Sequence, residues 1–329
     1  MKLKKNKILR LVLIVGAILA FVLTSVIVFG FSLLQAPDST NNQLERFVIA
    51  KGEPVALIGD KLKKKNLIKN SYVFKIYYQL NQDNFKIQAG SFELSPAMDV
   101  ATILEILSDG TDDIWITFPE GMRREEIAQS LEKYSLINYN QEEFLAQTVA
   151  LEGQLFPDTY LVPKEVTTQA LINLMQNTFE KKIASLQTQI EQSNYSFNEL
   201  LTMASILERE ARGSEQLQQV SNILWKRLEI GMPLQVDATL QYAKGYDETI
   251  GSWWATPLAE DKQLNSRFNT YLNPGLPPRP ICNPGLEAIT ASLNPRSTEY
   301  LFYIHDKQGN VHFARTLEEH NNNINRYLR

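Results

Sequence analysis

The chain has 329 residues, 21% charged and 44% hydrophobic, with a formal net charge of −4. That is ordinary for a globular protein and long enough for a short anchor plus two domains. The acidic balance, and the lack of any basic stripe interleaved with aromatics, argue against a nucleic acid partner. The single cysteine, Cys282, excludes an intrachain disulfide and a Cys-rich metal site.

Residues 1–10 carry Lys2, Lys4, Lys5, Lys7 and Arg10, and Leu11–Leu34 then runs without a charge. At about 1.5 Å per residue this stretch covers about 36 Å, enough to cross a bilayer core of about 30 Å. It exceeds a signal-peptide core, and Leu34-Gln35-Ala36-Pro37 is a poor cleavage site. The expectation is an uncleaved single-pass membrane anchor, 11–34, with 1–10 in the cytoplasm and the bulk of the chain extracytoplasmic. Pro37–Asn42 reads as a polar linker within 35–45.

Residues 46–145 are expected to form a first, small α+β domain. Arg46–Ala50 predicts a strand, Val55–Lys65 and Ser71–Leu80 helices, and Phe85–Leu94 a strand broken by Gly90. Ala97–Leu107 predicts a helix, Ile114–Phe118 a strand, and Ile127, Ala128 and Leu131 mark a further helix. Phe47–Ile68 and Ile116–Ile137 share the order strand, Pro/Gly turn, helix, Leu-Ile. This weak repeat of a βα module resembles LysM-like modules, which bind N-acetylhexosamine chains; two unrelated α+β units would read the same way.

A second domain is expected over 146–329. Leu151–Pro163, rich in Pro, Gly and large apolar residues, reads as a rigid buried turn, and 168–192 as one long helix. In Leu200–Arg212, Leu200, Met203, Ala204, Leu207 and Ala211 form one apolar stripe at helical spacing. Glu208 and Glu210 lie about 200° apart around that helix, one on each side of the stripe. A carboxylate beside apolar surface can be held protonated, as a general acid acting on a sugar bond requires. Charged residues flanking a stripe are also what a plain solvated helix face shows.

Glu215–Ile230 predicts another helix, ended by Gly231. In Leu234–Leu240, the residues Gln235, Asp237 and Thr239 recur at period two. Two readings stand: one polar face of an extended strand that meets sugar hydroxyls, or a cap for the next helix through Asp237 or Thr239. Asn265–Gly285 holds Pro274, Pro277, Pro278, Pro280 and Pro284 with Gly275 and Gly285. So restricted a loop suits the preformed wall of a cleft, where Asn269 and Tyr271 would offer polar contacts and a ring face. Leu286–Leu293 reads as a helix, 301–305 and 311–313 as a hairpin, and 317–328 as the last helix. His305, His312 and His320 match no metal motif, so neither a metal nor another cofactor is expected.

Several of these stretches together resemble the YceG-like, endolytic murein transglycosylase family. They are Glu152-Gly153-x-Leu155-Phe156-Pro157-Asp158-Thr159-Tyr160, Ala204-Ser205-Ile206-Leu207-Glu208-Arg209-Glu210 and Leu234-Gln235-x-Asp237-x-Thr239. Asn269-Thr270-Tyr271, Gly275-Leu276-Pro277-Pro278, Pro280-Ile281-x-Asn283-Pro284-Gly285 and Glu319-His320-Asn321 continue the series in the family's order. The resemblance implies a membrane anchor, a LysM-like domain and an α+β catalytic domain. It implies cleavage of the MurNAc–GlcNAc β-1,4 bond within nascent glycan strands, leaving 1,6-anhydro-MurNAc ends and terminating elongation. Peptidoglycan synthases are the implied protein partners. The resemblance selects Glu210 as the catalytic residue, with Glu208 second; Gln235, Asp237, Thr239, Asn269 and Tyr271, read from their own segments, are the expected substrate contacts. Two positions depart from the family pattern: Phe268 stands where Tyr is usual, and Arg279 where Gly is usual. The other function compatible with the sequence is a non-catalytic, membrane-anchored glycan-binding scaffold.

Overall fold

The computed structural model describes residues 2–111 and 113–329; the side chains of 2–14 and 17 lie outside the described set. The chain is α+β and divides into two compact units, Met1–Ile114 and Trp115–Arg329.

The first unit begins with α1 (Lys2–Leu34). Most of its described apolar side chains, Phe21, Leu23, Phe29 and Phe31 among them, are exposed, while Leu34 packs against the core of the unit. Among the described residues, no helix is long and apolar enough to cross a membrane. The start of the expected span, 11–14 and 17, falls outside the described side chains. Beyond the linker, β1 (Glu45–Ile49) leads into α2 (Val55–Lys64) and α3 (Ser71–Leu80); β2 (Gly90–Leu94) and α4 (Val100–Asp109) follow. β1 and β2 pair antiparallel with Phe47 opposite Phe92. The inward faces of the two strands bury Phe47, Ile49, Phe92 and Leu94 against Ile58, Leu62, Phe74 and Leu104 of the helices. α3 and α4 start where Asn70 and Asp99 accept hydrogen bonds from the first free amides. The expected strand over 85–94 shortens to Gly90–Leu94, since 81–89 turns away after α3.

The second unit is entered through β3 (Asp113–Thr117), followed by α5 (Arg124–Leu131) and α6 (Gln141–Gln147). β3 pairs with β4 (Thr159–Pro163). The segment expected to be only a turn, 151–163, thus ends in a strand. This pairing also joins chain on both sides of residue 145. The two βα copies fall in different units. Leu67 and Ile68 of the first are buried, whereas Ile137 of the second is exposed.

Next come α7 (Thr168–Ile183) and α8 (Gln187–Gln192), separated by a short tighter turn over 184–186 where one helix was expected. α9 (Phe197–Glu210), α10 (Ser214–Glu229), α11 (Asp237–Lys244) and α12 (Leu286–Leu293) build the centre of the unit. Met203, Ile206 and Leu207 pack there against Val220, Leu224, Ile281 and Ala288. On its other side α9 buries Leu201 and Ala204 against Phe156, Phe179 and Ile289. The hairpin of β5 (Phe302–His305) and β6 (Val311–Ala314) and the last helix, α13 (Leu317–Tyr327), complete the chain. In the hairpin His312 faces Ile304 rather than His305, and its ring bonds Asp306 at 2.9 Å.

Candidate active site

α9 is fixed at both ends. Ser196 and Glu199 form a reciprocal capping box at its start. At its end Ala211 is extended (φ −144°, ψ 163°), so Glu210 is the last helical residue. Both glutamates therefore sit in the final turn, where the helix dipole disfavours negative charge.

The two carboxylates have different surroundings. Glu208 accepts a hydrogen bond from Gly285 N–H, at the start of α12, at 2.9 Å. Burial raises its pKa, and Glu120 adds to the effect. Glu210 lies across the stripe and accepts from the Tyr303 hydroxyl on β5 at 2.7 Å. Part of its side chain faces open space, yet its carboxyl is closely enclosed, and desolvation pushes its pKa up to about 7. Tyr303 and the Ala238 amide of α11 favour the ionised form, while the nearby charge of Asp237 opposes it.

Glu210 opens on a cleft of about 480 Å³ that it shares with Gln235, Asp237, Tyr271, Tyr303 and Arg227. Tyr271 donates to Asp237 Oδ1 at 2.7 Å, and Lys262 lies 4.7 Å over the Tyr271 ring. Gln235 has a left-handed backbone, φ +53°, uncommon for a residue with a side chain. It is held so by Thr270: Gln235 N–H donates to Thr270 O at 3.2 Å, and Val236 N–H to Thr270 Oγ1 at 3.0 Å. A strained residue on a cleft wall, clamped by buried neighbours, is common at functional sites.

Four of the residues read from sequence thus converge: Glu210, Gln235, Asp237 and Tyr271. Three do not line this cleft: Glu208, which faces Gly285, and Thr239 and Asn269. Thr239 is fully buried, donating to Val236 O at 2.7 Å and meeting Thr270 Oγ1 at 2.8 Å. Asn269 is fully buried as well; its side chain donates to Lys262 O and Leu264 O and accepts from Tyr271 N–H. Both hold the cleft wall in shape. Neither sequence reading of 234–240 survives. The chain becomes helical at Asp237, which turns Thr239 about 200° away from Asp237. Val236 occupies the cap position and no side chain caps the helix.

Tyr303 and Arg227 are cleft residues the sequence reading missed. Arg227 sits among the apolar residues of α10, and a charge in that position was the available signal. Its guanidinium donates to Leu301 O at 2.8 Å and Leu234 O at 2.6 Å, tying the hairpin to the 234–236 wall. Tyr303 carried no signal in the sequence beyond its place in a strand.

A separate buried cluster joins the other motifs. Asn283 Oδ1 accepts from Gly153 N–H and Leu155 N–H, both at 2.9 Å. Its Nδ2 donates to Met122 O and Glu152 Oε1. Glu152 also accepts from Arg124 N–H at 3.0 Å and from Tyr242 at 3.3 Å. Burial first, then the charge of Glu125, pushes the Glu152 pKa up to about 8. Gly153 needs its φ of +91°, and a Cβ there would come within 2.8 Å of Pro280. The two departures from the family pattern meet one another, with Arg279 lying 5.4 Å over the Phe268 ring.

The model of the YceG-like family matches residues 47–326. The chain belongs to the YceG-like family. Among relatives of this family, an endolytic murein transglycosylase of Bacillus subtilis is 30% identical, over 91% of this chain and 89% of its own length. An endolytic murein transglycosylase of Streptococcus pneumoniae is 29% identical over 87% of this chain, which spans 59% of that longer protein. The crystal structure of a YceG-like protein from Listeria monocytogenes superposes with a TM-score of 0.57 at 29% identity, covering 85% of this chain and 99% of the other.

Proposed function

We propose that this YceG-like protein is an endolytic murein transglycosylase that cuts the MurNAc–GlcNAc β-1,4 bond of nascent peptidoglycan strands, with Glu210 as its single acid–base residue. The observation that carries the reading is a carboxyl with a pKa near 7 on a cleft lined by Asp237, Gln235 and Tyr271. A proton held near neutral pH is what a leaving glycosidic oxygen needs. Glu210 gives its proton to that oxygen as the bond to C1 of the muramoyl sugar breaks. The 6-hydroxyl of the same sugar attacks C1 and returns its proton to Glu210. The products are a 1,6-anhydro end and a free 4-hydroxyl, with no water consumed. The nucleophile is built into the substrate, so proximity replaces a second activated group. Asp237 shares the cleft with Glu210, and its carboxylate would favour positive charge developing at C1.

That same Asp237 supports one other reading. Two carboxylates on one cleft also suit a glycosidase that activates water. Digestion of uncrosslinked glycan strands by the full chain, with products read by mass, separates the possibilities. Anhydro ends are expected. Reducing ends, heavier by one water, would reassign the chain as a hydrolase, and intact strands would leave only the glycan-binding scaffold.

The exposed apolar side chains of α1 and the lysines preceding them support an anchor in the cell membrane with the second unit outside. There the enzyme would meet strands as synthases release them, and its cuts would end their growth. The first unit serves as spacer or as a further, LysM-like contact with glycan.

A further inference from the structure

Glu210 borders two clefts. Beyond the one already described, a second of about 600 Å³ is lined by Glu208, Arg209, Arg212, Gln216, His305 and Lys307, with Glu210 at its edge. The character of the two differs. The first carries aromatic rings, hydroxyls and Asp237; its cations are engaged, Arg227 with the Leu301 and Leu234 carbonyls and Lys262 over the Tyr271 ring. The second carries the cations Arg209, Arg212 and Lys307. Its glutamates point elsewhere, Glu208 to the Gly285 amide and Glu210 to Tyr303. Arg209 is covered on one side by the Trp254 ring, at 3.9 Å. Arg212 and Lys307 are exposed, and among the described residues neither makes an ion pair within 4 Å. They come from different elements. Arg212 follows the extended Ala211 that ends α9, and Lys307 sits at the tip of the β5–β6 hairpin.

We propose that this second cleft binds the peptide stem of the substrate, with Arg212 and Lys307 receiving its carboxylates. The inference rests on the glycan-cleaving function above. On a muramoyl sugar the stem leaves from the lactyl ether at C3, on the same ring as the C1 that Glu210 acts beside. A stem bound next to Glu210 therefore has to leave the sugar cleft close to that residue, and the Arg212 side is the space that shares it. A guanidinium fork suits a carboxylate in two-point contact, and a lysine ammonium adds a mobile charge. The stem then helps to position the reacting sugar, so glycan with stems is cut faster than bare glycan.

The test compares kcat/KM of the full chain on uncrosslinked strands with stems and on the same strands stripped of peptide by an amidase. The wild type is expected to prefer the stem-bearing strands. The double charge reversal Arg212→Glu with Lys307→Glu is expected to lower that preference by about tenfold or more. Reading the ratio protects against misfolding, which lowers both rates together. Equal wild-type rates on the two substrates would overturn the stem site alone. An unchanged preference in the double variant would do the same. A wild type that cuts neither substrate would overturn the function and the stem site with it.

Discussion

Three effects chiefly set the Glu210 pKa: burial and two neighbours. Enclosure raises the pKa, Asp237 raises it further, and Tyr303 lowers it by donating to the ionised form. Activity that depends on the protonated acid should fall as pH rises through about 7. Tyr303→Phe removes the stabilising donor, so the alkaline limb of the kcat/KM profile should move to higher pH. Asp237→Asn removes the opposing charge and should move it lower. A profile that ignores both substitutions would mean that another group carries the proton. Glu210→Gln should lower kcat by about 10²–10⁴-fold with melting temperature little changed. Glu208→Gln tests the assignment from the other side of the helix: its loss of activity should be small beside that of Glu210→Gln, and the reverse order would exchange their roles.

At the scale of the element, α9 places this acid by burying nearly everything else. Leu200 to Leu207 are all buried, including Ser205. The Ser205 hydroxyl donates to Thr202 O at 2.7 Å and accepts from Ile281 N–H at 3.0 Å, pinning the proline-rich segment against the helix. Ser205→Ala leaves the Ile281 amide buried without a partner and should cost about 1–3 kcal/mol in denaturant unfolding. Ser196→Ala at the capping box should cost less, about 0.5–2 kcal/mol, because its amides can turn to water. An order opposite to this would mean that the Ile281 bond contributes little to holding the segment.

Across the second unit, Glu152 and Asn283 tie Arg124, Gly153, Leu155 and Tyr242 into one buried cluster. The Glu152 carboxyl keeps its proton up to about 8 when folded, against an ordinary value of 4.5. Between those values the folded state binds more protons than the unfolded one. Stability contributed by this group is therefore present at low pH and is lost as pH climbs from about 4.5 to about 8. Glu152→Gln keeps the acceptor for Arg124 and Asn283 but cannot ionise. Its melting temperature should match the wild type at about pH 5 and exceed it at about pH 8. Equal differences at both pH values would show that the Glu152 carboxyl does not titrate in that window.

The sequence by itself determined the α+β class, the helix that carries Glu208 and Glu210, and its two-sided geometry, because a 3.6-residue period fixes which side chains share a face. It also marked Gln235, Asp237 and Tyr271, whose polar groups stand out in segments of unusual composition. Tertiary structure decided which glutamate opens on the cleft of Asp237 and Tyr271: Glu208 meets the amide of Gly285 and Glu210 meets Tyr303, and both partners lie more than seventy residues away in the chain. It also decided that Thr239 and Asn269 support the wall instead of lining it. Their hydrogen bonds go to buried backbone and to Thr270. The distant partners of Glu208 and Glu210 leave no trace in local periodicity, since they depend on how the helix, the proline-rich loop and the hairpin close around one another.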